Sequence, residues 1–251
     1  MVWQRALPLA QDLELDPRYV ELVEFDLSVG DRLAGVLSVE ELARAERFAQ
    51  DVHRARFVCA RGVLRLVLGQ LLRVAPAEVG IRAGRNGKPE LASHHASRVH
   101  FNLSHSEDRA VVALCVSREV GVDVERVRRD VDTSEIALRF FAAGESAALL
   151  ATPEADRRAA FFRCWTGKES YLKARGDGLL ARLDAFEVEP AARPVRLRWS
   201  SLAAGDVTRW SMASFDLDAD HVAALTVEGT PSAIHRWSLQ PCELERRAIV
   251  T

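Results

Sequence analysis

The chain has 251 residues, 48% of them hydrophobic and 28% charged, with a formal net charge of −2. That balance argues against a nucleic-acid binder acting through a broad basic surface, and no apolar run reaches membrane-spanning length. The length suffices for one large domain or two small ones of ordinary globular composition. The start, Met1-Val2-Trp3-Gln4-Arg5, has no basic stretch leading into a sustained apolar run, so secretion is not expected. The cysteines Cys59, Cys115, Cys164 and Cys242 form no zinc-spaced pair. They are expected to be reduced and buried in a cytoplasmic protein.

In chain order, residues 20–27 read as a strand. Ser38 with Glu41 three residues later makes a capping box, opening a helix whose apolar face is Leu42, Ala45, Phe48 and Ala49. A second helix is predicted over 52–72, with Phe57, Ala60, Leu64, Leu68 and Leu71 as its stripe, closed off by Pro76. Residues 84–89 form a loop carrying the Asn-Gly turn signal, and 99–103 a short strand entering Ser104-His105-Ser106. Strands follow at 110–116 and 120–124 with a turn between them. Gly144-Glu145 opens a helix, and the longest helix of the second half is predicted over 157–173, stopped by Gly176-Asp177-Gly178. Strand-like stretches cover 186–188, 195–199, 210–215 and 221–227, with one more at 233–239 and a loose charged tail from about residue 240. The order predicts an α+β protein of two similar halves, residues 1–117 and 118–251.

Only three of the 34 basic residues are lysines, Lys88, Lys168 and Lys173. Lysine is a compact point charge with three donors on a flexible stem, so the positions that keep it in an arginine-rich chain are candidates for work a guanidinium does badly. Chance survival under a compositional bias is the competing explanation.

Gly121-Val122-Asp123-Val124-Glu125, read as a strand, places both carboxylates on one face. Oxygen-only ligation suits magnesium, which takes one or two carboxylates with water and substrate phosphates; a solvated strand end is the plainer account of this segment alone. Glu169 and Lys173, four apart, share a helix face and are explained equally well as a helical ion pair. Three acids with a lysine beside them, however, make the equipment of phosphoryl transfer. Ser104, His105 and the neighbouring backbone offer an anion site. No Gly-x-Ser-x-Gly elbow supports a serine nucleophile.

Gly87-Lys88-Pro89, Phe101-Asn102-Leu103-Ser104-His105-Ser106, the Gly121–Glu125 segment and Trp165-Thr166-Gly167-Lys168-Glu169-Ser170-Tyr171-Leu172-Lys173 occur in that order. Together they resemble the 4'-phosphopantetheinyl transferases, in the larger single-chain (Sfp-type) class that serves peptide, polyketide and fatty-acid synthases. The resemblance runs from about residue 40 to about residue 190. It implies two similar subdomains related by a pseudo-two-fold, with coenzyme A in the cleft between them. It also implies that 4'-phosphopantetheine passes from coenzyme A to a serine of an apo acyl or peptidyl carrier protein, with Mg2+ as cofactor and 3',5'-ADP released. By that resemblance Asp123, Glu125 and Glu169 hold the metal, and Lys173 touches the phosphates. His105, with Ser104 nearby, binds the 3'-phosphate, Lys88 lies near the adenine end, and Arg56 is the first-half phosphate-binding arginine, with Arg54 or Arg61 as alternatives. The catalytic residues are then Glu169, Lys173 and Asp123, with Glu169 or a metal-bound water as the base. Lys168 and Glu145 belong to matching segments without an assigned role. The carrier surface is expected within 131–150, from Val131, Ile136, Leu138, Phe140 and Phe141, although core burial is the favoured reading of the two phenylalanines. A cytoplasmic monomer is expected, with carrier proteins as partners and neither nucleic acid nor membrane. The alternatives are another Mg2+-dependent phosphoryl transfer or phosphodiesterase, and a catalytically silent coenzyme A-binding protein.

Overall fold

A computed structural model describes residues 2–6, 15–178, 181–190 and 195–239. In chain order the elements are β1 (Val2–Ala6), β2 (Tyr19–Asp26), α1 (Val39–Ala45), α2 (Asp51–Leu72), β3 (Ile81–Ala83), β4 (Pro89–Leu91), β5 (Val99–Ser106) and β6 (Arg109–Val116). There follow β7 (Val120–Arg126), α3 (Thr133–Phe140), α4 (Ala143–Ala151), α5 (Glu154–Arg175), β8 (Phe186–Val188), β9 (Leu197–Ser200), α6 (Asp206–Arg209), β10 (Trp210–Asp216), β11 (His221–Glu228) and β12 (Ala233–Leu239). The protein is α+β. It divides into two compact units, one drawn from residues 1–82, 89–117 and 233–251 and the other from 83–88 and 118–232.

The first unit holds a five-stranded sheet in the order β1-β12-β2-β6-β5. Its core is α2, whose apolar residues Phe57, Ala60, Leu64 and Leu68 are buried, closing on Val23, Val112 and Leu114 from the sheet. The predicted capping box is present: Ser38 Oγ accepts from Glu41 N at 3.3 Å, and Ser38 N donates to the Glu41 carboxylate at 3.1 Å. The helix it opens is shorter than the sequence suggests. It ends at Ala45, leaving Leu42 and Phe48 partly exposed. Glu41 is held by Arg61 and Arg65 of α2, so α1 is tied to α2 by charge as well as by the buried Ala45.

Two sequence expectations change here. β12 pairs in parallel with both β1 and β2, so residues 233–239 complete the sheet of the first unit instead of extending the second. A buried ion pair and a hydrogen bond fix this crossing: Arg236 Nε donates to Glu24 at 2.5 Å, and His235 Nδ1 lies 2.9 Å from Glu21 Oε1. Strand order in a sheet is a long-range property, and nothing local in 233–239 carried it. Secondly, Ser104 and His105 lie within β5 rather than after it, opposite Val111 and Ala110 of β6, because pairing runs unbroken to the turn at Glu107.

In the second unit α5 packs across the three-stranded sheet β10-β11-β7. Phe162, Tyr171, Leu172 and Ala174 are buried there with Phe186, Val188 and Trp210, and each large apolar side chain contributes about 1.5–3 kcal/mol by its removal from water. α5 stops where Gly176 enters the left-handed region, φ 70°, a conformation glycine adopts without steric cost. Gly121 of β7 lies directly against α5: a Cβ there would overlap Ser170 O and Ala174 N. Gly121→Ala therefore pushes strand and helix apart, and a loss of about 1–3 kcal/mol is expected in urea unfolding. An unchanged midpoint would show that the contact is looser than its geometry. Among the described residues, no helix is long and apolar enough to cross a membrane. Cys59, Cys115 and Cys164 are buried and in no disulfide, whereas Cys242 and the expected tail from residue 240 lie outside the described residues.

Candidate active site

Strand alternation and helix pitch bring Asp123 of β7 and Glu169 and Lys173 of α5 together within the second unit. Asp123 is 4% exposed, and its Oδ1 accepts a hydrogen bond from Lys173 Nζ at 2.6 Å. Burial raises the proton affinity of Glu169, the negative charge of Asp123 raises it further, and Lys173 opposes both. Glu125, two residues beyond Asp123, is half-buried. The strand–helix contact that Gly121 permits thus concentrates carboxylates around a single ammonium.

Glu169 has a testable sign. A carboxyl whose folded pKa lies above its unfolded value favours the native state when protonated, so its contribution is lost as pH rises from the ordinary glutamate value through the raised one. Glu169→Gln is accordingly expected to melt at or above the wild-type temperature at neutral pH. The advantage should disappear below the ordinary glutamate pKa, as calorimetry across pH would read. A variant that melts lower than wild type at neutral pH would mean that Lys173, not burial and Asp123, dominates at Glu169.

Glu169 also borders a depression lined by Trp165 and Leu172 of α5, Phe140 and Arg139 at the end of α3, and Leu183 and Asp184 before β8. Its walls are mostly aromatic and aliphatic. Phe141 is buried as expected, but Phe140 is 44% exposed and Leu138 63%. The reason is that α3 ends at Phe140: successive side chains point to different sides there, and only Phe141 turns inward to stack on Phe161 at 5.4 Å.

Other predicted residues have protein partners. Lys88 Nζ donates to Glu119 Oε2 at 2.7 Å and to the Ala174 carbonyl at 3.0 Å. Asn86 Nδ2 donates to the Gly176 carbonyl at 2.9 Å. Together they fasten the turn at 85–88 to the C-terminal end of α5, where a cation is favoured by the helix dipole. In the first unit Arg56 spans the β5–β6 turn, donating to Glu107 at 2.8 Å and Asp108 at 3.0 Å. Ser104 is buried and His105 exposed on β5.

The unassigned pair, Lys168 and Glu145, acquires a place. Lys168 Nζ donates to both Glu145 oxygens at 2.6 Å and to the Phe186 carbonyl at 2.8 Å, with both side chains at 1% exposure or less. Burial pushes the Glu145 carboxyl up and the Lys168 ammonium down, each opposed by the other's charge. The scarcity of lysine flagged this position, but 23 residues separate it from its partner and no local pattern named it.

A buried carboxylate, a helix acid with raised proton affinity and a shared lysine define a class of site suited to charged phosphoryl groups. Family comparisons agree. Residues 119–227 match the 4'-phosphopantetheinyl transferase superfamily, and residues 31–117 match its N-terminal domain family, "4'-phosphopantetheinyl transferase, N-terminal". Among similar proteins, the 4'-phosphopantetheinyl transferase HetI of Nostoc sp. is 40% identical over 199 residues, covering 78% of this chain and 81% of its own. A 4'-phosphopantetheinyl transferase of Bacillus subtilis is 31% identical, covering 64% and 71%. 4'-phosphopantetheinyl transferase Sfp of Bacillus subtilis strain 168 is 30% identical, covering 63% and 68%. The chain belongs to the 4'-phosphopantetheinyl transferase family, in its Sfp-type class.

Proposed function

We propose that this enzyme transfers 4'-phosphopantetheine from coenzyme A to a serine hydroxyl of an apo carrier protein and releases 3',5'-ADP. The observation that carries the reading is the cluster of Asp123, Glu169 and Lys173 inside the segment that matches the transferase superfamily. Glu169, whose proton affinity is raised, or a metal-bound water is the proposed acceptor of the serine proton. Lys173, 31% exposed and held by Asp123, presents a positive charge to the phosphates.

Magnesium belongs to the same proposal, with Asp123, Glu125 and Glu169 as the residues that would hold it. The donor set is all oxygen, and the repulsion between Asp123 and Glu169 is relieved by a divalent cation. Among the described residues no three His, Cys, Asp or Glu side chains enclose a metal position. Magnesium would complete its shell with water and substrate phosphates. When bound, it would neutralise the pyrophosphate charge. The reading also includes Arg56, Lys88, Ser104 and His105 as coenzyme A contacts, with Arg56 exchanging its present carboxylate partners for phosphate oxygens and Lys88 near the adenine end. Exposed Leu138, Phe140 and Leu150 supply an apolar surface for the carrier, and the enzyme is taken to be a cytoplasmic monomer.

Incubation with coenzyme A, Mg2+ and several apo carriers, followed by carrier mass measurement, is expected to show one phosphopantetheine on the serine. Chelation by EDTA should abolish the gain and added Mg2+ restore it. If no carrier type gains mass, the transferase reading fails; transfer that persists in EDTA removes the metal.

A further inference from the structure

Glu145 and Lys168 make no contact with the proposed reacting groups, yet they join the three segments that wall the depression beside Glu169. Glu145 sits in the first turn of α4, directly after Arg139 and Phe140. Lys168 lies on α5 between Trp165 and Glu169. The Phe186 and Val188 backbone groups they bind belong to β8, directly after Leu183 and Asp184. Besides Lys168, the Glu145 carboxylate accepts from Val188 N at 2.6 Å, from Ala142 N at 3.0 Å and from Cys164 Sγ at 3.7 Å. Each ammonium hydrogen of Lys168 has an acceptor, and its Nζ stands 4.1 Å from the centre of the Phe186 ring.

A buried ion pair is seldom more stabilising than apolar residues of the same volume, because desolvation offsets the attraction. What it adds is direction. Apolar side chains let packed elements slide and rotate by small amounts, whereas this set of hydrogen bonds is satisfied in one arrangement only. Successive residues on a helix point about 100° apart, so fixing the rotation of α5 at Lys168 fixes where Glu169 points.

We infer that Glu145 and Lys168 are positioning residues: their buried pair locks α4, α5 and β8 together and thereby sets the Glu169 carboxylate and the Trp165 wall for transfer. This rests on the transferase reading for its kinetic consequence, but not for its structural one.

The test is the double variant Glu145→Leu/Lys168→Met, which fills the same space without charge. It is expected to fold, with a urea midpoint near that of the wild type. Displacing a reacting group by about 1 Å costs on the order of 10²-fold in rate, so kcat should fall by about tenfold or more while the coenzyme A KM stays within about twofold. With 5-fluorotryptophan incorporated, the Trp165 fluorine resonance, assigned through Trp165→Phe, should move. Either readout remaining at its wild-type value overturns the inference and leaves the pair a structural fastener. If the double variant does not fold, Glu145→Gln, which keeps the shape and removes the charge, is judged by the same two readouts. If the wild type itself transfers to no carrier, the function has failed, and the fluorine resonance alone decides whether the pair positions the site.

Discussion

Asp123→Asn is expected to lower transfer by about 10³-fold, the upper range for removing one preorganised charge from a transition-state site, while the chain stays folded. The two effects separate because of where Asp123 sits. Its Oδ1 is bonded to Lys173, whose side chain is 31% exposed, so losing the carboxylate leaves the ammonium able to reach water. The charge left behind is thus partly solvated rather than stranded in the core, and the loss of stability is expected to be small. For catalysis the same change removes the group that orients Lys173, and it also removes the charge that raises the proton affinity of Glu169. Initial rates of carrier mass gain, alongside a thermal melt, decide the matter. Wild-type rates in a folded Asp123→Asn protein would take Asp123 out of the site.

Lys168→Met has the largest expected effect on stability, about 3–5 kcal/mol, because it strands the Glu145 carboxylate inside the core without a counter-charge. Total stabilities run at about 5–15 kcal/mol, so this single change removes a large share of what holds the fold. Lys173→Met, five residues along the same helix, also leaves a buried carboxylate, Asp123 with its side chain at 5% exposure, but it is expected to cost less, because the 31% exposed end of Lys173 lets water reach the site. The contrast follows from exposure: both are lysines paired with one acid, but Lys168 has no route to solvent and Lys173 does. Urea unfolding of the two variants side by side measures it, and equal midpoints would contradict the burial argument.

Much of the architecture was legible in the chain because local patterns carry it. The stripe Phe57, Ala60, Leu64, Leu68 gave α2, the Ser38–Glu41 spacing gave the helix start, and Gly176 gave the end of α5, all of them interactions between neighbours in sequence. The acids Asp123 and Glu125 were readable from strand alternation, and Glu169 with Lys173 from helix pitch. The sequence therefore determined which family the chain resembles and which residues are proposed to carry the chemistry.

Only the tertiary structure decided the rest. It placed β12 in the sheet of the first unit through pairing with β2, more than 200 positions away in the chain. It turned Phe140 outward and Phe141 inward, since a helix end rather than periodicity orients them. It also set Lys88 on Glu119 and Ala174, and joined Lys168 to Glu145. Each of these depends on groups far apart in sequence meeting where water is excluded, and a buried charge finds its partner through packing rather than through spacing.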